Sequence, residues 1–128
     1  MRYLLDTCTF LWLAQQPDML SARASELLDN AVADLHVSDI SIWEITLKHS
    51  AGKLPLPEVP KKWIPRKFVY HKLRSLPVTR EAIFRSGELP RMHADPFDRL
   101  LAAQAIESGL TILSPDTPLS LLGASRIW

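Results

Sequence analysis

The run Asp95-Pro96-Phe97-Asp98-Arg99-Leu100-Leu101-Ala102-Ala103-Gln104-Ala105-Ile106 declares where a helix starts and how it continues. Asp95 is an N-cap residue, and Pro96 falls at the first helical position, where its missing N–H costs nothing. Asp98 then puts a negative charge in the first turn, favourable to the helix dipole. The apolar run carries the helix to a stop at Gly109. Directly after it, Leu110–Leu113 is a short apolar run suited to a buried strand. Ser114-Pro115-Asp116 reads as a turn, Thr117–Leu122 as a short helix and Ala124–Ile127 as a closing strand.

Working back toward the N-terminus, the same alternation recurs. Arg2–Leu5 is an apolar strand ending at Asp6, and Thr9–Ala14 a short helix halted near Pro17. Ser21 caps a helix reaching about Asn30, and Leu35–Ser38 is a second strand. Ser38 caps a helix over Asp39–Ser50 that closes at Gly52. Pro55, Pro57, Pro60 and Pro65 forbid one long helix in the next stretch, which predicts two short ones, Lys61–Ile64 and Arg66–Lys72. Leu73–Val78 is an edge strand, because Pro77 is poorly tolerated inside a sheet, and Thr79 caps a helix to about Ser86. Strands separated by helices imply a mainly parallel sheet of four to five strands, flanked by helices on both faces, in one domain spanning residues 1–128.

Composition narrows the function. A hydrophobic fraction of 47% over 128 residues supports a folded core, and 10 prolines punctuate its loops. No apolar run reaches the ~18 residues of a membrane span. Asp6 arrives too early for a signal-peptide hydrophobic region, and the single Cys8 allows no internal disulfide, so a cytoplasmic home is expected. The net charge of +1 conceals an asymmetry. Residues 1–60 carry four Lys/Arg against eight Asp/Glu, whereas residues 61–99 carry ten against four. A basic middle beside an acidic cluster suits an enzyme acting on a polyanion, although a solvated helical face accounts for the asymmetry too.

Ligands on parallel sheets bind at the carboxyl ends of the strands. Asp6 and Asp116 fall at or just beyond strand ends, Glu44 lies on the helix after the second strand, and Asp98 begins the helix first quoted. Four carboxylates drawn together raise one another's pKa values unless a cation sits among them. Hard oxygen donors suit Mg²⁺ or Mn²⁺, which activates water and neutralises phosphate charge. His36, His49, His71 and His93 are scattered and Cys8 stands alone, so no zinc site competes. Each acid also has a plain structural reading. Asp6 and Asp95 cap helices, Asp116 is a turn acid, and Glu44 lies on a narrow polar stripe of its helix.

Taken in order, the motifs resemble those of a PIN domain, and more narrowly a VapC-type toxin of a bacterial toxin–antitoxin pair. They are Leu4-Leu5-Asp6-Thr7-Cys8-Thr9-Phe10-Leu11-Trp12, Ser38-Asp39-Ile40-Ser41-Ile42-Trp43-Glu44-Ile45, His93-Ala94-Asp95-Pro96-Phe97-Asp98-Arg99 with its helix, and Leu113-Ser114-Pro115-Asp116. The resemblance covers essentially the whole chain. It implies a three-layer α/β fold and a Mg²⁺- or Mn²⁺-dependent endoribonuclease with Asp6, Glu44, Asp98 and Asp116 as its acidic quartet. Asp6 and Asp98 are then the principal metal ligands, Glu44 and Asp116 further ligands or the base that orients water, and Thr7 a supporting hydroxyl. Asp95 is an extra acid, open between ligand and helix cap. The departure is Ser114-Pro115 before Asp116, where the family more often has Thr and a non-proline residue, and Pro115 would displace Asp116. The resemblance also implies an RNA substrate, a homodimer and a small inhibitory antitoxin whose C-terminal segment fills the active-site groove.

Trp12, Trp43, Phe97 and Trp128 read as core or dimer contacts, since three of them sit in apolar runs. Trp63, flanked by Lys61, Lys62, Arg66 and Lys67, is the candidate for stacking on a base or binding the antitoxin. Two other functions compete. Asp6-Thr7-Cys8-Thr9 is similar to an aspartyl-phosphate phosphatase loop, but Cys8 replaces its required second acid. A non-catalytic RNA- or partner-binding module on the same fold has no need of all four acids.

Overall fold

The computed structural model describes residues 1–91 and 95–128; His93, at the head of the third motif, lies outside them. The chain runs through β1 (Arg2–Leu5), α1 (Thr7–Gln15), a 3₁₀ turn (Pro17–Met19), α2 (Ala22–Leu28), β2 (Asp34–Ser38) and α3 (Asp39–Ser50). It continues through α4 (Pro60–His71), β3 (Arg74–Leu76), α5 (Arg80–Glu88), α6 (Pro96–Ser108), β4 (Thr111–Leu113), α7 (Pro118–Leu121) and β5 (Arg126–Ile127). All strand pairs are parallel, in the order β3-β2-β1-β4-β5. The sheet thus has five strands, with the expected Leu73–Val78 edge strand shortened to the three residues before Pro77.

Both faces of the sheet are covered, which is why its strands read as unbroken apolar runs. Side chains alternate across the pleat. Leu4 and Ile112 enter one core with Leu101, Ala102, Ala105 and Leu119. Tyr3, Leu5, Val37 and Leu113 enter the other with Phe10, Ile45 and Trp63. Leu5 of the central strand pairs with Val37 on one side and Leu113 on the other. Asp6, Ser38 and Ser114, one residue further on, therefore stand together along the carboxyl edge.

Local capping chemistry sets the helix starts. Ser21 accepts from Ala24 N (3.0 Å), Ser38 from Ile40 N (3.0 Å) and Thr79 from Ala82 N (3.1 Å). Asp95 Oδ1 accepts from Phe97 N (2.9 Å) and Asp98 N (3.3 Å). Helix α6 ends at Gly109, whose φ of 64° is a left-handed conformation that suits glycine.

The prolines of the middle stretch act differently from expectation. Residues 60–71 form one helix with Pro65 inside it, not two. Pro65 forfeits only the bond to the Lys61 carbonyl, and both residues are exposed, so the loss falls on the solvent side of the helix. The gain is a continuous apolar side that buries Trp63 and Ile64.

Helix α6 is fastened by polar joints as well as by its apolar face. Gln104 is 2% exposed. Its Oε1 accepts from Ser38 Oγ (2.5 Å) at the end of β2, and its Nε2 donates to Pro77 O (3.2 Å) just beyond β3. Arg99 donates to the carbonyls of Ser86 (2.8 Å), Leu89 (2.9 Å) and Pro90 (2.8 Å), which caps the exposed carbonyl end of α5. Arg99 is thereby a structural member of its motif. Gln104→Leu keeps the volume but leaves Ser38 and Pro77 without their partners. It is expected to cost about 2 kcal/mol and to lower Tm by roughly 5–10 °C in thermal and urea unfolding.

Candidate metal centre

The carboxyl edge of the sheet opens into a cleft of about 230 Å³ lined by Asp6, Thr7, Cys8, Leu11, Glu44, Lys48, Asp95, Asp98 and Asp116. Four separate segments supply these residues: the β1–α1 junction, α3, the start of α6 and the turn after β4. All five acids singled out from sequence reach this one cleft, together with Thr7.

Asp6 is its deepest member, at 3% exposure. Oδ1 accepts from Thr9 N (2.9 Å), capping α1, so that the helix begins at Thr7, two residues earlier than its sequence suggests. Oδ2 accepts from Ser114 Oγ (2.5 Å), and the Cys8 thiol lies 3.3 and 3.4 Å from the two oxygens as a weak donor. Burial raises the Asp6 pKa above the ordinary carboxylate value, against the lowering influence of the bonds from Ser114, Thr9 and Cys8. Burial and the neighbouring Asp6 charge together push the Cys8 thiol well above its ordinary value.

Ser114 was invisible as a functional residue in the sequence beyond its departure from the family pattern. It is fully buried, and its Oγ also accepts from Asp116 N (3.0 Å). One hydroxyl therefore couples the Asp6 carboxylate to the backbone of Asp116, and Pro115 does not pull that acid away. Carboxylate oxygens of Asp6 and Asp116, with Cys8 Sγ, all lie within 4.8 Å of one another.

Glu44 is held by both of its oxygens. Oε1 accepts from Thr7 Oγ1 (2.6 Å), which also lies 2.9 Å from the buried Ser41 Oγ, and Oε2 pairs with Lys48 Nζ (2.8 Å). The hydrogen bond to Glu44 raises the Lys48 pKa, with the charges of Glu44, Asp95 and Asp98 adding to it. Lys48 had drawn no notice in the sequence. Its spacing of four residues from Glu44 on a helix was the available signal.

The donor set suits a hard divalent cation. Carboxylates and hydroxyls dominate it, and the Cys8 thiol hydrogen-bonds weakly to Asp6. Asp95 has its Oδ1 engaged as the α6 cap while the residue lines the cleft.

The expectation for Trp63 needs correction. Trp63 is 2% exposed, its ring edge-to-face with Phe10 at 5.9 Å, so it belongs to the core and cannot stack on a base. Lys61, Lys62, Arg66 and Lys67 lie on α4 and none lines the acid cleft. Arg66 pairs with Glu58 (2.9 Å), and Lys67 sits over the Tyr70 ring at 5.6 Å. Trp43, expected as a core or dimer contact, is 55% exposed and no core residue; it packs beside Phe97 at 5.5 Å. Trp12 and Trp128 form a second half-buried pair at 5.8 Å.

Comparison with known proteins identifies the family and the fold. The family model described as PIN domain matches residues 3–123. No curated protein matches the chain by sequence. Among solved structures, VapBC2 from Rickettsia felis bound to a promoter DNA fragment superposes with a TM-score of 0.74 at 18% identity, covering 99% of this chain and 98% of that one. DNA-bound VapBC from Salmonella typhimurium gives 0.70 at 18%, covering 100% and 97%. A toxin–antitoxin complex from Klebsiella pneumoniae gives 0.60 at 14%, covering 90% and 87%. At these identities the likeness is one of fold.

The raised Asp6 pKa has a definite sign for stability. The folded state holds this proton more tightly than the unfolded chain, so its contribution is greatest below the ordinary value of 3.8 and is lost as pH rises through the raised value. Asp6→Asn keeps the helix cap and removes the charge. In metal-free buffer the variant is expected to melt a few degrees above the native protein near neutral pH, the difference shrinking toward pH ~4. Added Mg²⁺ or Mn²⁺ should raise Tm of the native protein alone. Melting curves over pH with EDTA and with metal check both.

Proposed function

The chain belongs to the PIN domain family, and from that premise we propose that it is a metal-dependent endoribonuclease and the toxin of a toxin–antitoxin pair. The observation that carries the reading is the convergence of Asp6, Glu44, Asp95, Asp98 and Asp116, from four segments, on one cleft at the carboxyl edge of the sheet. Five acids in one cleft repel one another, and a divalent cation offsets that repulsion. PIN domains are generally nucleases that use such a cation, and an RNA substrate and an inhibitory partner extend that reading to this chain.

Asp6 and Asp116 would hold the ion, with Asp98 contributing from the start of α6. A bound Mg²⁺ or Mn²⁺ supplies a water of lowered pKa and charge neutralisation at the phosphate. The protein's own contribution is orientation. Ser114 fixes the Asp6 carboxylate, and Thr7 and Lys48 fix Glu44; so held, Glu44 would orient water at the cleft. The exposed cations of α4, Lys61 and Lys62 among them, steer the RNA from outside the cleft. A homodimer and a small antitoxin complete the assignment. No helix of the described residues is long and apolar enough to cross a membrane.

The purified protein is expected to cleave RNA with Mg²⁺ or Mn²⁺ and to stop on addition of EDTA. Asp6→Asn and Asp98→Asn should each lower kcat at least ~100-fold while leaving the circular dichroism spectrum unchanged. Equal cleavage by native and variant proteins, or no cleavage with either metal, would favour the non-catalytic binding module instead.

A further inference from the structure

The cleft has two unlike ends. At one, carboxylate oxygens of the buried Asp6 and of Asp116 approach within 4.8 Å of each other, a spacing that one ion can bridge. At the other, Glu44 is not joined to that set; its two oxygens are taken by Thr7 Oγ1 (2.6 Å) and Lys48 Nζ (2.8 Å). Lys48 stands one helical turn beyond Glu44 on α3 and lines the same cleft as Asp95 and Asp98. Its ammonium is the one lysine or arginine charge among the described residues lining the cleft.

From this division we propose that Lys48 serves in place of a second metal ion: one divalent cation binds at Asp6 and Asp116, and the Lys48 ammonium supplies the other positive charge facing the scissile phosphate. The inference rests on the nuclease reading above and extends it to the number of ions and to a residue outside the acidic quartet. A second divalent ion at the Glu44 end would have to displace Lys48 and would sit beside its charge, an unfavourable exchange at this separation. An ammonium there needs no such exchange. Its side chain is 53% exposed and flexible, so it reaches a phosphate oxygen entering the cleft while Glu44 stays held by Thr7. Lys48 forms no bond and moves no proton in this role; it neutralises charge that grows on the phosphate oxygens as water adds.

The experiment compares native protein, Lys48→Gln and Lys48→Arg by Mn²⁺ titration calorimetry and by RNA cleavage at saturating Mn²⁺. The expected result is one Mn²⁺ per chain in all three, with affinity in Lys48→Gln equal to or tighter than native. Cleavage by Lys48→Gln should fall about 100-fold in kcat, with Tm within a few degrees of native, and Lys48→Arg should recover most of it. Two ions per native chain, or native kcat in Lys48→Gln, would overturn the assignment while leaving the nuclease reading intact. An inactive native protein would instead defeat the nuclease reading itself. A fall in Tm with unchanged kcat would make Lys48 a merely structural partner of Glu44, which also overturns the proposal.

Discussion

A carboxylate buried at the end of the central strand is the constraint around which this molecule is arranged. Asp6 is desolvated to 3% exposure, which disfavours its charged form. The chain answers with donors from two directions, the Thr9 amide of α1 and the Ser114 hydroxyl beyond β4. Those same bonds start α1 and fix the turn that carries Asp116. Thr9, itself fully buried, adds a bond from Oγ1 to the carbonyl of Leu113 (2.8 Å), so the two segments are tied twice. Stability and site geometry are consequently one problem here. Any change that relaxes Asp6 also loosens the junction of β1, α1 and β4.

The remaining acids are positioned by similar buried polar joints. Ser38 both caps α3 and donates to Gln104 of α6, which aligns the two helices bearing Glu44 and Asp98. Thr7 links α1 to Glu44 and Ser41 of α3. Among the described residues no buried side-chain nitrogen or oxygen lacks a partner. Unmatched polar atoms in these positions would each cost on the order of 1–3 kcal/mol, so the network selects one arrangement of the helices over its neighbours. Apolar packing alone permits small slides of α3 against α6, and a cleft assembled from four segments tolerates few of them.

What was legible in the residues was whatever obeys local rules. The caps at Ser21, Ser38, Thr79 and Asp95 and the strand at Arg2–Leu5 follow from side-chain chemistry within a few positions. The acidic set was legible because its motifs keep a family order, not because any single acid was distinctive. Long-range packing hid the rest. Pro65 would break a helix judged alone, yet the burial of Trp63 and Ile64 against α1 and the sheet outweighs one lost hydrogen bond to an exposed carbonyl. Trp63 among four cations resembled a surface ring until the fold turned it inward onto Phe10. Ser114 and Lys48 matter through partners 108 and 4 residues away, and only the first of these spacings lay beyond any pattern a sequence displays.

The charge asymmetry of the chain acquires a physical meaning once folded. Part of the basic middle is neutralised by acids distant in sequence, Arg74 by Asp34 and Arg85 by Glu107, and so belongs to the architecture. The cations of α4 do not line the acid cleft, whose described lining would confront a polyanion with five carboxylates and one ammonium. Coulomb's law orders the events at such a surface. A phosphodiester meets net repulsion at the cleft until a divalent ion has entered, whereas α4 attracts it at any time. On the proposed nuclease reading, outer cations would gather the polyanion and the cleft would admit it only with metal present. Binding and cleavage acquire different dependences on salt and on metal from the placement of charge alone.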